Sequence, residues 1–294
     1  TAALHQLHAQ AHTPHLVLWH HDLAWTTPRY RSELHAGYPW DLLRTAWSGA
    51  VQVTISEARR SELAALMRLA PEMIHVVPNG LDPAQFYKLE PQTQALLAQT
   101  RLLDAALILL LPVRITPRKN IELALRVLAA LRADGMDAVL VVTGPLGAHN
   151  ARNNDYFAHL RALRQQLGLE GAAHFLAELA DGFLPDAVIS DLFRLCDALF
   201  LPSREEGFGL PVIEAAFDHK PIFCSDIPTL REVGGAFANY FSPSEDPARI
   251  ATQIRERLAH ETTYHSALRA RQRYTWHSVY RKHLAPLLAS LRPQ

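Results

Sequence analysis

The sequence shows no surplus of either charge: Lys plus Arg and Asp plus Glu number 29 each. No global field therefore draws in DNA, RNA or an anionic membrane, and any anion site has to be a local cluster. Cysteine is scarce. The only two, Cys196 and Cys224, sit inside apolar runs that read as buried, which gives no metal or redox spacing and suits a reducing compartment. Long hydrophobic runs are missing too: the longest apolar stretch, Ala105 to Val113, is about half of the roughly 20 residues a spanning helix needs. The first residues carry no signal-peptide pattern. Together these set an expectation of a cytoplasmic protein, with peripheral contact at the inner face of the membrane left open. No internal repeat and no low-complexity segment is visible.

What is present is ordinary globular material. With 294 residues, 49% hydrophobic and 20% charged, the chain is long enough for two domains with sizeable cores. From about residue 106, short apolar runs (107–113, 138–143, 172–176, 198–201 and 221–224) alternate with helical faces. Ile121, Ala124, Leu125 and Leu128 follow the 3.6-residue period, and Phe157, Leu160, Leu163 and Leu167 nearly do. Strands that read as unbroken apolar runs are buried on both sides, so the pattern predicts a doubly wound parallel α/β sheet. Such sheets bind ligands beyond the carboxyl ends of their strands.

Residues 1 to about 80 repeat the style more briefly, with strands at 15–19, 50–55 and 74–77 and Ser56 as the N-cap of a helix running on through Leu69. Three strands make a thin sheet, and the chain opens on Thr1 in helix-like sequence, so this half reads as truncated at its N-terminus or completed by something else. Pro78-Asn79-Gly80 and the polar 82–101 stretch read as the interdomain connection. The reading assigns residues 1–85 to a partial first domain, with the helix at 277–294 packing back on it, and residues 86–276 to a second.

The run Leu201-Pro-Ser-Arg-Glu-Glu-Gly-Phe-Gly-Leu-Pro-Val-Ile-Glu-Ala-Ala216 places two carboxylates, Glu206 and Glu214, around a Gly-Phe-Gly turn that opens a helix. Pro211 suits the first helical position, where its missing N–H costs nothing, and a helix start with free N–H groups can hold phosphate. Glu214, about one turn in, can accept hydrogen bonds from two vicinal hydroxyls, while Glu206 approaches from the loop side. Upstream, Arg114-Ile-Thr-Pro-Arg-Lys119 follows a strand, with Thr116 as the expected N-cap and Pro117 as the first helical residue. That reading puts Arg118 and Lys119 in a helix's first turn, where the dipole disfavours cations unless an anion sits among them. Each segment alone also fits a solvated surface. His5, His8 and His12 share a helical face, but no carboxylate or cysteine completes a metal shell and Pro14 breaks the helix, so a polar face is the expectation and no metal is assigned.

Taken in order, these segments resemble the retaining group 1 (family 4) glycosyltransferases of the GT-B fold. Val53-Thr-Ile-Ser-Glu57, His75-Val-Val-Pro-Asn-Gly-Leu-Asp82, Val142-Thr-Gly-Pro145 and Asp226-Ile-Pro-Thr-Leu-Arg-Glu232 match further family segments over roughly residues 15 to 280. His20-His-Asp-Leu23 matches the family's His-Asp-Leu, with His21 the equivalent residue. The resemblance implies two Rossmann-like domains facing a cleft, the first incomplete here. It also implies a nucleoside-diphosphate sugar donor, transfer to an unknown acceptor hydroxyl with retention, and no metal or other cofactor. Its site residues would be His21, Arg114, Lys119 and Glu206 for catalysis and Gly144, Phe208, Gly209, Leu210 and Glu214 for the donor. Val113, Asn120, Ala177 and His219-Lys220 stand where glycines are usual. A non-catalytic nucleotide-binding or regulatory subunit and a nucleotide-sugar epimerase remain open alternatives.

Overall fold

The computed structural model describes residues 1–10, 15–145, 151–180 and 182–291. The chain divides into two compact units, residues 1–82 with 273–294, and residues 83–272.

The first unit begins with α1 (Ala2–His8) and β1 (Val17–His20), followed by β2 (Val51–Thr54), α2 (Glu57–Met67) and β3 (Ile74–Val76). The three strands pair in parallel in the order β1-β2-β3. Ser56 caps α2 as its position predicts, its hydroxyl accepting from the Arg59 N–H at 3.2 Å; the helix ends at Met67, with Arg68 in the left-handed conformation. One core joins Leu23, Leu63, Ala64, Met67 and Ile74. A second joins Val53 and Val77 to Val279 and Leu287 from the C-terminal segment.

The second unit runs α3 (Pro83–Tyr87), α4 (Pro91–Thr100), β4 (Leu107–Leu111), α5 (Ile121–Ala133), β5 (Ala138–Val142), α6 (Ala151–Gln166), β6 (Ala173–Phe175) and α7 (Asp186–Leu195). It continues with β7 (Ala198–Leu201), α8 (Leu210–Phe217), β8 (Ile222–Ser225), α9 (Pro228–Gly234), β9 (Asn239–Phe241), α10 (Pro247–Ala259) and α11 (Thr262–Tyr274), whose last residues belong to the first unit. After it come α12 (Trp276–Val279) and α13 (Ala285–Ser290). Of the polar stretch from 82 to 101, read from sequence as a connection, residues 83–101 belong to this unit and most of them are helical, in α3 and α4. Its anchor is remote: the buried Asp191 of α7 accepts from the Glu90 N–H and the Thr93 hydroxyl, both at 2.8 Å, and so caps α4.

All six strands are parallel, in the order β6-β5-β4-β7-β8-β9. Counted within the unit this is 3-2-1-4-5-6, the order of a dinucleotide-binding sheet, and it reverses between β4 and β7. Every residue of β4, β5, β7 and β8 is buried, as expected of strands covered on both faces. Each buried Leu, Val or Phe contributes about 1.5–3 kcal/mol relative to exposure. Asp197, just before β7, forms a two-pronged ion pair with Arg271 of α11 at 3.0 and 2.8 Å and accepts from the Ile108 N–H at 2.8 Å. Cys196 and Cys224 are free and buried, and burial pushes both thiols up to about 12. Among the described residues no helix is long and apolar enough to cross a membrane.

Candidate functional site

Sheets of this order bind ligands where the order reverses, beyond the carboxyl ends of the strands, which here are β4 and β7, and the segments that leave those two strands carry the charged residues of the candidate site. Residues 117–119 form a separate 3-10 turn, after which Asn120 adopts φ 54° and α5 starts afresh at Ile121. This corrects the sequence reading. Arg118 and Lys119 are not in the first turn of an α-helix, because a left-handed residue intervenes, and α5 carries Glu122 in its own first turn as the dipole favours. Thr116 makes no capping bond, and its hydroxyl is buried without a partner among the described residues.

The two segments are stitched together. The Arg204 N–H donates to the Arg118 carbonyl at 2.8 Å, the Arg118 guanidinium to the Glu205 carbonyl at 3.3 Å, and the Arg204 guanidinium to the Pro117 carbonyl at 3.2 Å. At the centre Lys119 Nζ meets Glu206 Oε1 at 2.5 Å, with side chains 9% and 7% exposed. The buried Ser203 hydroxyl donates to the same oxygen at 2.7 Å. Burial drives the Lys119 ammonium below the usual lysine range; Glu206 opposes the change, and the positive fields of Arg118 and Arg114 add to it. Three cations, Arg114, Arg118 and Lys119, are therefore gathered near one deeply held carboxylate.

Arg114 is exposed, its guanidinium 5.4 Å from the centre of the Phe183 ring. Its backbone path depends on Gly144. A Cβ there would overlap the Val113 carbonyl and the Arg114 Cα, so only glycine lets the end of β5 lie against this loop. Gly144→Ala is expected to cost about 1–3 kcal/mol through overpacking and to displace Arg114, seen as a lower melting temperature together with weaker anion binding.

On the other side, Gly209 adopts φ 95° and starts α8, leaving Phe208 and Leu210 55% and 60% exposed. Glu214, one turn in, is exposed and does not join the Lys119–Glu206 cluster; it lines a cavity of about 380 Å³ between α7 and α8 with Asp186, Ser190, Phe193 and Phe217. Partial burial raises its pKa, and the nearby Asp186 carboxylate adds to the rise. His21 belongs to the first unit, exposed just after β1 and stacked on Trp19 at 6.2 Å. Its neighbour His20 is half-buried and bonded to Gln52 at 2.8 Å; burial lowers its pKa.

The structure thus brings Arg114, Arg118, Lys119 and Glu206 together, sets Gly144 beneath them, and places Glu214 in its own cavity. Ser203, Arg204 and Asn120 are the members that sequence reasoning left unassigned; Ser203 stands inside the quoted motif, with nothing in its spacing to mark a buried donor. Of the glycine replacements, His219 adopts φ 54° as a glycine would, and Ala177 lies in an ordinary 3-10 turn at 176–178. The histidine face expected near the start is used structurally: His5 packs edge-on against Trp47 and His8 bonds to the Ser48 carbonyl at 2.8 Å, while His12 and Pro14 lie outside the described residues.

Comparison with known proteins gives a consistent picture. A family model described as "Glycosyl transferases group 1" matches residues 94–274. The chain is 33% identical over 143 residues to the serotype-specific mannosyltransferase WbdA of Escherichia coli, covering 49% of this chain and 16% of that protein. It is 32% identical over 182 residues to D-inositol 3-phosphate glycosyltransferase of Stackebrandtia nassauensis, covering 60% of this chain and 38% of the relative. Among solved structures, an α,α-trehalose-phosphate synthase (UDP-forming) from Burkholderia vietnamiensis superposes with a TM-score of 0.51 at 14% identity, over 82% of this chain and 60% of that one.

Proposed function

This chain belongs to the group 1 glycosyl transferases, and from that premise we propose that it moves a hexose from a nucleoside-diphosphate sugar to an acceptor hydroxyl with retention of anomeric configuration. The observation that carries the proposal is the cluster of cations on the loops that leave β4 and β7, where Arg114 and Arg118 lie near Lys119 and Lys119 pairs with a buried glutamate. As the bond from the sugar's anomeric carbon to the diphosphate oxygen breaks, negative charge grows on the leaving group. Arg114 and Lys119 stabilise that charge in this proposal, with the N–H groups at the start of α8 beside Phe208, Gly209 and Leu210. A bond from the anomeric carbon to the acceptor oxygen forms on the same face, and the acceptor proton passes to the departing diphosphate. Glu206 keeps Oε2 for donor-sugar hydroxyls, since Oε1 is taken by Lys119 and Ser203. Glu214 holds the ribose hydroxyls. The cationic side chains do the charge neutralisation, so the proposal needs no metal.

A thermal-shift panel of UDP, GDP, ADP, CMP and their sugar conjugates tests it. A ligand at 100 times its dissociation constant adds about 2.7 kcal/mol. The expected result is that one nucleoside diphosphate stabilises the wild type and stabilises neither Arg114→Ala nor Glu214→Ala. A folded chain that none of them stabilises overturns the donor-site reading.

A further inference from the structure

Asn120 occupies a position where the backbone must take φ 54°, and it is 2% exposed. Glycine or asparagine fills such a place with little strain, so the backbone alone does not require a side chain. The side chain nevertheless uses both of its donors. The amide Nδ2 gives one hydrogen bond to the Pro202 carbonyl and one to the Pro243 carbonyl, each at 3.0 Å. Pro202 follows the end of β7 and precedes Ser203, which holds Glu206; Pro243 follows the end of β9. Asn120 itself follows Lys119. One amide therefore pins the segment carrying Lys119 to the root of the segment carrying Glu206, and both to a third strand.

We infer that Asn120 is a positioning residue of the diphosphate site: its side-chain amide, through the Pro202 and Pro243 carbonyls, fixes where Lys119 meets Glu206. The inference rests on the donor-site reading for its consequence in binding, but the placement of Lys119 is a property of the free protein and is measurable without any ligand. The asparagine serves two ends at once, turning the chain into α5 and holding two loops in register, and a glycine can serve only the first. A displacement of about 1 Å at a reacting centre can cost on the order of a hundredfold in rate.

Two variants separate these roles. Asn120→Gly keeps the left-handed backbone and removes the clamp. Asn120→Asp keeps the shape and replaces the donors by an acceptor facing two carbonyls. The chain has only four lysines, Lys88, Lys119, Lys220 and Lys282, so ¹⁵N-lysine labelling lets the Lys119 ammonium be followed through a pH titration. Both variants are expected to melt cooperatively and to bind pyrophosphate, UDP and GDP about tenfold or more weakly than wild type; in Asn120→Gly, which adds no charge of its own, the Lys119 midpoint is expected to move from its wild-type value, because the burial of the ammonium and its contact with Glu206 both change. A purely structural asparagine would lower the melting temperature and leave the midpoint and the affinities of the folded variants where they were, and that result overturns the inference. Wild type that binds none of the three probes while Asn120→Gly still moves the Lys119 midpoint would overturn the donor-site reading and uphold the positioning role. If Asn120→Asp fails to fold, Asn120→Gly, which buries no charge, decides.

Discussion

Lys119→Met is expected to lower sugar transfer by about 10² to 10³, the usual effect of removing one preorganised charge partner of a developing anion. It should also destabilise the protein, because Glu206, 7% exposed, is left with the Ser203 hydroxyl as its one side-chain partner among the described residues. Breaking a buried pair from one side typically costs about 3–5 kcal/mol. The two effects come apart in the double variant. Lys119→Met with Glu206→Gln removes both charges, so stability should return to within about 1–2 kcal/mol of wild type while transfer stays lost. Recovery of activity along with stability would mean that Lys119 serves only the fold. Glu206→Gln alone carries a pH signature. Glu206 is what holds the Lys119 pKa up against burial and the fields of Arg118 and Arg114, so without it that pKa falls further. Protonated lysine is the phosphate-binding form. Diphosphate affinity in Glu206→Gln should therefore persist at low pH and fade as pH rises through the depressed value, earlier than in wild type; titrations at several pH values check this.

The second large effect concerns stability alone. Arg271→Leu should lower the stability of the second unit by about 3–5 kcal/mol, because Asp197, 3% exposed, would keep its charge with the Ile108 N–H as its remaining donor among the described residues. For a unit of this size that is a drop in melting temperature on the order of 10 °C. Arg271 also donates to the carbonyls of Ala105 and Ala106 at 3.1 and 3.2 Å, just ahead of β4, so its loss loosens the start of the central strand as well. Adding Asp197→Asn, which keeps an oxygen for the Ile108 N–H, should recover part of the loss. Thermal and urea melts of the single and double variants measure it, and an Arg271→Leu protein as stable as wild type would refute the account.

Much of this was legible in the sequence, for reasons that vary by element. The apolar runs of β4, β5, β7 and β8 announced themselves because strands covered on both faces need no polar alternation. β9 went unseen: Asn239–Phe241 is three residues long and half-buried, with no apolar run to mark it. The region after 82 misled because the polarity of α4 was read as that of a linker, while the group that caps it, Asp191, lies about a hundred residues away. The charged residues of the candidate site were assigned from their order along the chain and the family resemblance it carries. Their mutual geometry was not, because the left-handed Asn120 changes the direction of the chain just after Lys119, and the bonds between the two loops join residues more than eighty positions apart.

The stitching of those loops bears on how the protein could be re-engineered. Exchanging the 202–209 loop alone with that of a relative would discard Ser203 and the Pro202 carbonyl while keeping Asn120, whose amide would then face whatever the graft presents. The natural unit of exchange is the pair of loops, residues 113–120 with 202–209, and grafts cut along that line should keep their charge balance intact where single-loop grafts lose it.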